Sequence, residues 1–199
     1  MKNHIKNKQL LKLLALLSSS FQTGGLEVIV TGGLGISGFL GRQYREFYDL
    51  DITVVGKEKP EEGLKSCKEV VSSLGGEIVY ADDSYFQSKL KGFQVDIVYV
   101  QDVSKDGKII YKTSKGKIAG SEELLKPLVV WLERFEYKIF RPEVAIVEKL
   151  VGSLTLNLIR DKDVKDLEMV IDKLNPRLMF EAMRVKFSFK ENKCDNTGF

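Results

Sequence analysis

Apolar residues recur along the 199-residue chain with two periods, and the switches between them mark its elements. In the opening MKNHIKNKQLLKLLALLSSS, Leu10, Leu13, Leu14 and Leu17 fall at the spacing of one helix face, which predicts an amphipathic helix packed on the rest of the chain. The segment superficially resembles a signal peptide, but Lys12 interrupts its apolar run. Residues 26–31, LEVIVT, are a β-branched run that predicts a buried strand stopping at Gly32-Gly33. A short helix from near Gly35 and a second strand over 50–55 follow. Pro60 and Glu61-Glu62 suit the first turn of a helix that Gly75-Gly76 stop after residue 74. Residues 77–80 read as a short strand, and a polar loop carries Asp82 and Asp83. The next strand, 93–100 (FQVDIVYV), alternates so that Asp96 shares a face with Gln94 and Val98.

Asp106-Gly107 is a hairpin signal, with 108–113 as the returning strand. A second turn around Ser114 to Gly116 and the segment Gly120-Ser121-Glu122 lead on to residue 140; the aromatics Trp131, Phe135, Tyr137 and Phe140 are read as core, with stacking on a base or an antibiotic ring as the alternative. From Arg141-Pro142-Glu143 the pattern turns helical: Val144, Ile146, Val147, Leu150, Val151 and Leu154 form a broad stripe with Lys149 among them. A further helix opens within IRDKDVKDL and runs to Leu174 before Asn175-Pro176, and a last helix over 177–189 is expected to run into a strand-like end. The pattern divides the chain into a core of residues 1–140, a helical part over 141–190 packed on it, and a frayed tail over 191–199. No run approaches the length of a membrane span.

Composition narrows the classes. Hydrophobic content of 43% with 30% charged residues describes a soluble globular protein. The 31 basic and 28 acidic residues leave a net charge of +3, so the total indicates no strongly basic surface for gripping nucleic acid. Cys67 and Cys194 stand too far apart to suggest a disulfide framework or a zinc cluster; a reducing, cytoplasmic setting fits them. The single histidine, His4, makes histidine triads and histidine metal cages improbable.

The chemistry is concentrated in LEVIVTGGLGISGFLGRQYREFYDLDITVV, residues 26–55. Gly32 and Gly33 let backbone N–H groups approach a ligand, and the start of the following helix aims its positive end at the same place, a nest suited to phosphate. On the second strand Asp49 and Asp51 project from one face while Leu50 and Ile52 face the core. Two carboxylates on one face repel, and Mg²⁺ or Mn²⁺ between them would remove that cost. The plainer reading is a surface D-x-D at a strand start.

Gly32, Gly33, Gly35, Leu40, Gly41, Arg42, Arg45, Asp49 and Asp51 together form a pattern that resembles the nucleotidyltransferase superfamily, which includes DNA polymerase beta. It looks most like the minor branch of lincosamide nucleotidyltransferases and abortive-infection toxins. A second signature, a helix with Lys149 followed by the RDKDVKDL run, is similar to the same branch and stands in the right order. The resemblance covers residues 27–100 and 141–174. It implies an α+β fold with a small mixed sheet flanked by helices, and the transfer of a nucleoside monophosphate from an NTP, ATP among them, to a hydroxyl acceptor. The acceptor could be a small molecule such as an antibiotic, a tRNA end or a protein side chain. By order, Asp96 matches the third metal-binding carboxylate beside Asp49 and Asp51. Gly32 and Gly33 would cradle the triphosphate with Ser37 as an extra donor; Arg42, Arg45 and Lys149 would offset its charge, and Asp163 and Asp166 would support the lysine or meet the acceptor. Two departures stand out: Phe47-Tyr48 precede the aspartates where a polar residue or histidine is common, and the turn is Gly-Gly rather than Gly-Ser. A nucleotide-binding regulatory or toxin-antitoxin component of the same fold, without turnover, is the other reading; no P-loop or G-x-G-x-x-G supports a different phosphate enzyme.

Overall fold

A computed structural model describes residues 2–194, with side chains described for residues 6–155 and 157–185. The side chains of His4 and Cys194, and the tail beyond residue 194, lie outside the described residues. In chain order the elements are α1 (Lys2–Thr23), β1 (Glu27–Val30), α2 (Gly32–Leu40), β2 (Asp49–Gly56), α3 (Pro60–Ser73), β3 (Glu77–Ala81), β4 (Tyr85–Leu90), β5 (Phe93–Asp102), β6 (Lys108–Thr113) and β7 (Gly116–Ser121). They continue with α4 (Glu122–Leu125), β8 (Leu128–Leu132), β9 (Phe135–Ile139), α5 (Pro142–Leu156), α6 (Asp161–Val170), a 3₁₀ turn (Ile171–Lys173) and α7 (Pro176–Cys194). The described strands form one mixed sheet in the order β3-β4-β5-β2-β1-β9-β8, with β6 and β7 continuing from the end of β5. β2 runs parallel to β5 and β1 parallel to β9; the other pairs are antiparallel. The α+β class read from the sequence is the class observed.

Alternation along β2 decides what each face of the sheet does. Leu50, Ile52 and Val54 are buried on one face, where α1 (Leu10, Leu14, Leu17, Phe21) and α3 (Leu64, Cys67, Val71) cover them together with Val95, Ile97 and Tyr99 of β5. Burying a side chain of this kind stabilises by about 1.5–3 kcal/mol, so this face anchors β2. Asp49, Asp51 and Thr53 are left on the opposite face, over which α5, α6 and α7 pack. There Ile29, Val55 and Val100 meet Val144, Val147, Leu178 and Ala182.

Several expectations change. β4 lies where a polar loop was read, because buried Ser88 occupies an inward position and breaks the apolar alternation of YFQSKL. β8 and β9 form a hairpin whose bend holds Glu133 in the left-handed region (φ +55°), so the usual glycine or asparagine signal is missing. Of the aromatics there, Tyr137 is core and its hydroxyl donates to the Leu34 carbonyl (3.2 Å), whereas Trp131 is 59% exposed. α2 begins at Gly32, not near Gly35; α6 ends at Val170, not Leu174; and α7 stays helical where a strand-like end was read. No described helix is long and apolar enough to cross a membrane.

Candidate active site

β2 and β5 are paired in register, with Asp51 beside Asp96 and Asp49 beside Gln94. Neighbouring strands stand about 4.8 Å apart, so the three carboxylates share one small patch of one face. Asp51 bears the consequence: burial, then the negative charges of Asp49 and Asp96, push its carboxyl up to about 7, against the opposing pull of Lys149 and Lys162. Asp49 Oδ2 accepts from Lys162 Nζ at 3.1 Å. Asp96 is more fully engaged, its Oδ1 accepting from Tyr85 Oη (2.7 Å) and Gln87 Nε2 (2.9 Å) and its Oδ2 from Gln94 Nε2 (2.9 Å). Two further carboxylates nearby in the chain are engaged elsewhere: Asp82 pairs with Lys115, and Asp102, at the end of β5, with Lys57, each at 2.6 Å.

The two glycines are needed for reasons the sequence did not show. Gly32 has φ +61°, and a Cβ there would stand 2.0 Å from Asp51 Oδ2. A Cβ on Gly33 would stand 1.9 Å from Arg45 Nη2. The Gly-Gly pair is thus the surface on which a carboxylate and a guanidinium press against the start of α2. Thr31, the N-cap, makes no side-chain cap bond, so the first turn of α2 keeps N–H groups for an anion.

Behind the carboxylates lies a buried ionic cluster centred on Asp166, which is fully buried. It accepts from Arg45 Nε (2.7 Å), Arg45 Nη2 (3.0 Å) and Tyr44 Oη (2.6 Å), and pairs with Lys149 Nζ (2.9 Å). Burial pushes the Asp166 carboxyl up, but the bonds from Arg45 and Tyr44 and the charge of Lys149 outweigh it and hold it below the usual range. Lys149 Nζ also bonds Asp163 Oδ1 (2.9 Å), and Asp163 pairs with Arg160 Nε (2.6 Å). Burial pulls the Lys149 ammonium down, while Asp166 and Asp163 more than restore it, so it stays charged.

These placements sort the residues read from the sequence. Asp49, Asp51, Asp96, Gly32 and Lys149 are brought together. Gly32, Asp51, Asp96 and Lys149 line one cleft of about 340 Å³ with Thr31, Tyr85, Glu148 and Arg160. Arg45 is next to it but spends its guanidinium on Asp166. Ser37 is fully buried with no hydrogen-bond partner and does not line the cleft, and exposed Arg42 lies past the far end of α2, roughly 15 Å from Gly32 at 1.5 Å per residue. Sequence reasoning missed Tyr44, Tyr85, Glu148 and the counterion roles of Arg160 and Lys162. It also missed Asn7, whose Nδ2 donates to the Arg45 carbonyl (2.9 Å) while its Oδ1 accepts from Phe47 N (3.0 Å), fixing the segment that leads into Asp49. Phe47, where the resembled family commonly has a polar residue, is buried beneath the Arg45 guanidinium, 4.5 Å from ring centre to Cζ.

Among the described residues no three acidic, histidine or cysteine side chains are grouped so that they could hold a metal ion as they stand. What the site offers a divalent cation is an open set of carboxylates: Asp49 and Asp51 on one strand face, with Asp96 alongside and held by three donors. Burial first, and the neighbouring carboxylates second, raise the Asp51 carboxyl, and these oxygen donors are of the kind a hard cation takes.

No family model matches the sequence, and no curated protein matches it. Solved structures do. The antibiotic-resistance factor ANT(2'')-Ia, which has also been solved in complex with adenylyl-2''-tobramycin, superposes with a TM-score of 0.70 at 15% identity, over 94% of this chain and 98% of its own. The lincosamide antibiotic adenylyltransferase LnuA, solved bound to lincomycin, gives a TM-score of 0.58 at 18% identity, over 82% of this chain and 94% of its own. An antigenic nucleotidyltransferase-like protein from Paracoccidioides brasiliensis gives 0.52 at 12% identity, over 96% and 92%. At such identities it is the course of the backbone, and not the side chains, that is shared, and on that ground this chain has the fold of these nucleotidyltransferases.

Proposed function

We propose that the protein is a nucleotidyltransferase that moves a nucleoside monophosphate from an NTP to a hydroxyl acceptor. The observation that carries this reading is the register of β2 on β5, which sets Asp49, Asp51 and Asp96 on one face beside the glycine-lined start of α2, in a chain with the nucleotidyltransferase fold. Residues 1–140 would supply the carboxylates and residues 141–190 the cations facing them. The acceptor oxygen attacks the α-phosphorus, the bond to the bridging oxygen breaks, and pyrophosphate leaves, with the hydroxyl proton passing to Asp96.

Little covalent work falls to the protein in such a step; positioning and charge neutralisation are what it supplies. Lys149 and Arg160, which line the cleft, offset the charge of the leaving pyrophosphate, and the first turn of α2 receives phosphate oxygens. Mg²⁺ or Mn²⁺, held by Asp49 and Asp51 with Asp96 beside them, would supply further neutralisation at the α-phosphate when bound. Arg45 and Tyr44 act through Asp166, keeping Lys149 in place.

Incubation with labelled NTPs, Mg²⁺ and a mixture of hydroxylated small molecules, tRNA and protein should transfer label to one class of acceptor. Loss of that transfer in Asp49→Ala and Asp51→Ala is the expected result, and undiminished transfer in both variants refutes the assignment. The Lys162–Asp49 pair favours a second reading, in which the pocket binds nucleotide without turnover. That protein would melt at a higher temperature with NTP and metal yet release no pyrophosphate.

A further inference from the structure

The cleft does not end at the carboxylates. On the same face of the sheet, one strand step beyond Asp51 and Asp96, Thr53 and Val98 form part of a second cavity of about 200 Å³. Its walls include Tyr111, Leu124, Leu125, Phe140, Val144 and Ala182, and among the described residues no lysine or arginine lines it. Thr31, Val98 and Glu148 line both this cavity and the carboxylate cleft, so the two spaces adjoin there. We infer that this cavity holds the apolar body of the acceptor, and that the acceptor is a small uncharged alcohol rather than a nucleic acid, a protein or a sugar polyol.

The inference rests on the transferase reading for the acceptor's role, but the cavity is observed independently of it. Attacking and leaving oxygens lie roughly in line at the transferred phosphorus. Pyrophosphate leaves toward the cations, and those that line the cleft, Lys149 and Arg160, stand with Gly152, Ser153 and Leu158. On α5 the division is visible: Val144, Val147 and Glu148 line the cavity, while Lys149, Gly152 and Ser153 lie on the cation side. The acceptor therefore arrives from the cavity side, past Val98, which stands two residues beyond Asp96 on its face. A space this small and apolar excludes a polymer and gives no return for desolvating the many hydroxyls of a polyol.

The test uses 2-phenylethanol and cyclohexylmethanol as probes, titrated onto the full chain by ligand-observed NMR without nucleotide, and then offered as acceptors with labelled ATP and Mg²⁺ beside glucose and an RNA oligonucleotide. The probes should bind, and filling the cavity with Ala182→Phe should weaken them at least tenfold. Val185→Trp, at a half-exposed lining position, is the second variant should Ala182→Phe fail to give a cooperative melt. No binding to the native chain, or binding unchanged in a folded cavity-filled variant, overturns the inference. Label reaching RNA or glucose but neither alcohol also overturns it while leaving the transferase reading intact. Alcohol binding that the filled cavity abolishes, with no label on any acceptor, supports the cavity assignment and sinks the transferase reading instead.

Discussion

At the scale of single residues the site is governed by how closely a carboxylate can approach backbone. Gly32 touches Asp51, so Gly32→Ala must move one of them, at a position where φ is also positive. Label transfer in Gly32→Ala should fall by about a hundredfold or more, the scale of a displaced catalytic group, while the chain still melts cooperatively. Asp51 makes a second prediction, about pH. Its carboxyl is raised from an ordinary 3.8 to about 7, so between those values the folded chain holds a proton that the unfolded chain has lost. The stability contributed by neutral Asp51 is complete below about 3.8 and disappears as the pH rises through 7. Urea unfolding of the metal-free protein should therefore show lower stability at pH 8 than at pH 5, and Asp51→Asn should flatten that slope. The gain at pH 8 should be about 1–2 kcal/mol, well below the roughly 4 kcal/mol of three full units, because the cleft is open to solvent. Mn²⁺ affinity should run the other way, rising toward pH 7 as cation and proton compete for one group.

At the scale of elements, one side chain ties three segments together. Asp166 on α6 binds Arg45 and Tyr44 from the connection between α2 and β2, and Lys149 from α5. Asp166→Ala would leave a guanidinium and an ammonium buried without their shared partner, a loss of about 3–5 kcal/mol by the cost of breaking buried ion pairs. A urea titration reading less than 1 kcal/mol would show that the cluster adds little to the packing of α6. The same cluster shows what was legible from the chain. The helix carrying Lys149 and the RDKDVKDL run were both found by their pattern, but that Asp166 would claim Arg45 was not, because the two lie 121 positions apart and neither has a local signal. β4 escaped for the opposite reason. Its outward Tyr85 and Gln87 bond Asp96, and Ser88 takes an inward place, so a strand that holds a carboxylate on its neighbour loses the apolar alternation that betrays strands.

At the scale of the whole molecule, the proposed nucleotide site predicts a response to ligand. A ligand that binds only the folded state stabilises it by about 2.7 kcal/mol at a hundred times its Kd. ATP with Mn²⁺ should thus raise the melting temperature by several degrees in the native chain and by much less in Lys149→Ala, checked by thermal denaturation at matched concentrations. A net charge of +3 gives the molecule no general grip on polyanions, so this effect should change little when an RNA oligonucleotide is added as competitor at physiological salt.

The chain by itself determined that strands carry Asp49, Asp51 and Asp96 and a helix carries Lys149, and that Asp49 and Asp51 share a face. Those properties follow from local periodicity: a side chain's direction on a strand is set by its parity, whatever the strand packs against. The third carboxylate followed only from resemblance and order. Which cation faces which carboxylate, why the glycines are glycines, that Ser37 and Arg42 stand away from the cleft, and that an apolar cavity continues it were decided by tertiary structure. Each depends on distances between segments far apart in sequence, set by the parallel register of β2 on β5 and by how α5 and α6 seat against the sheet, and no local pattern encodes such distances.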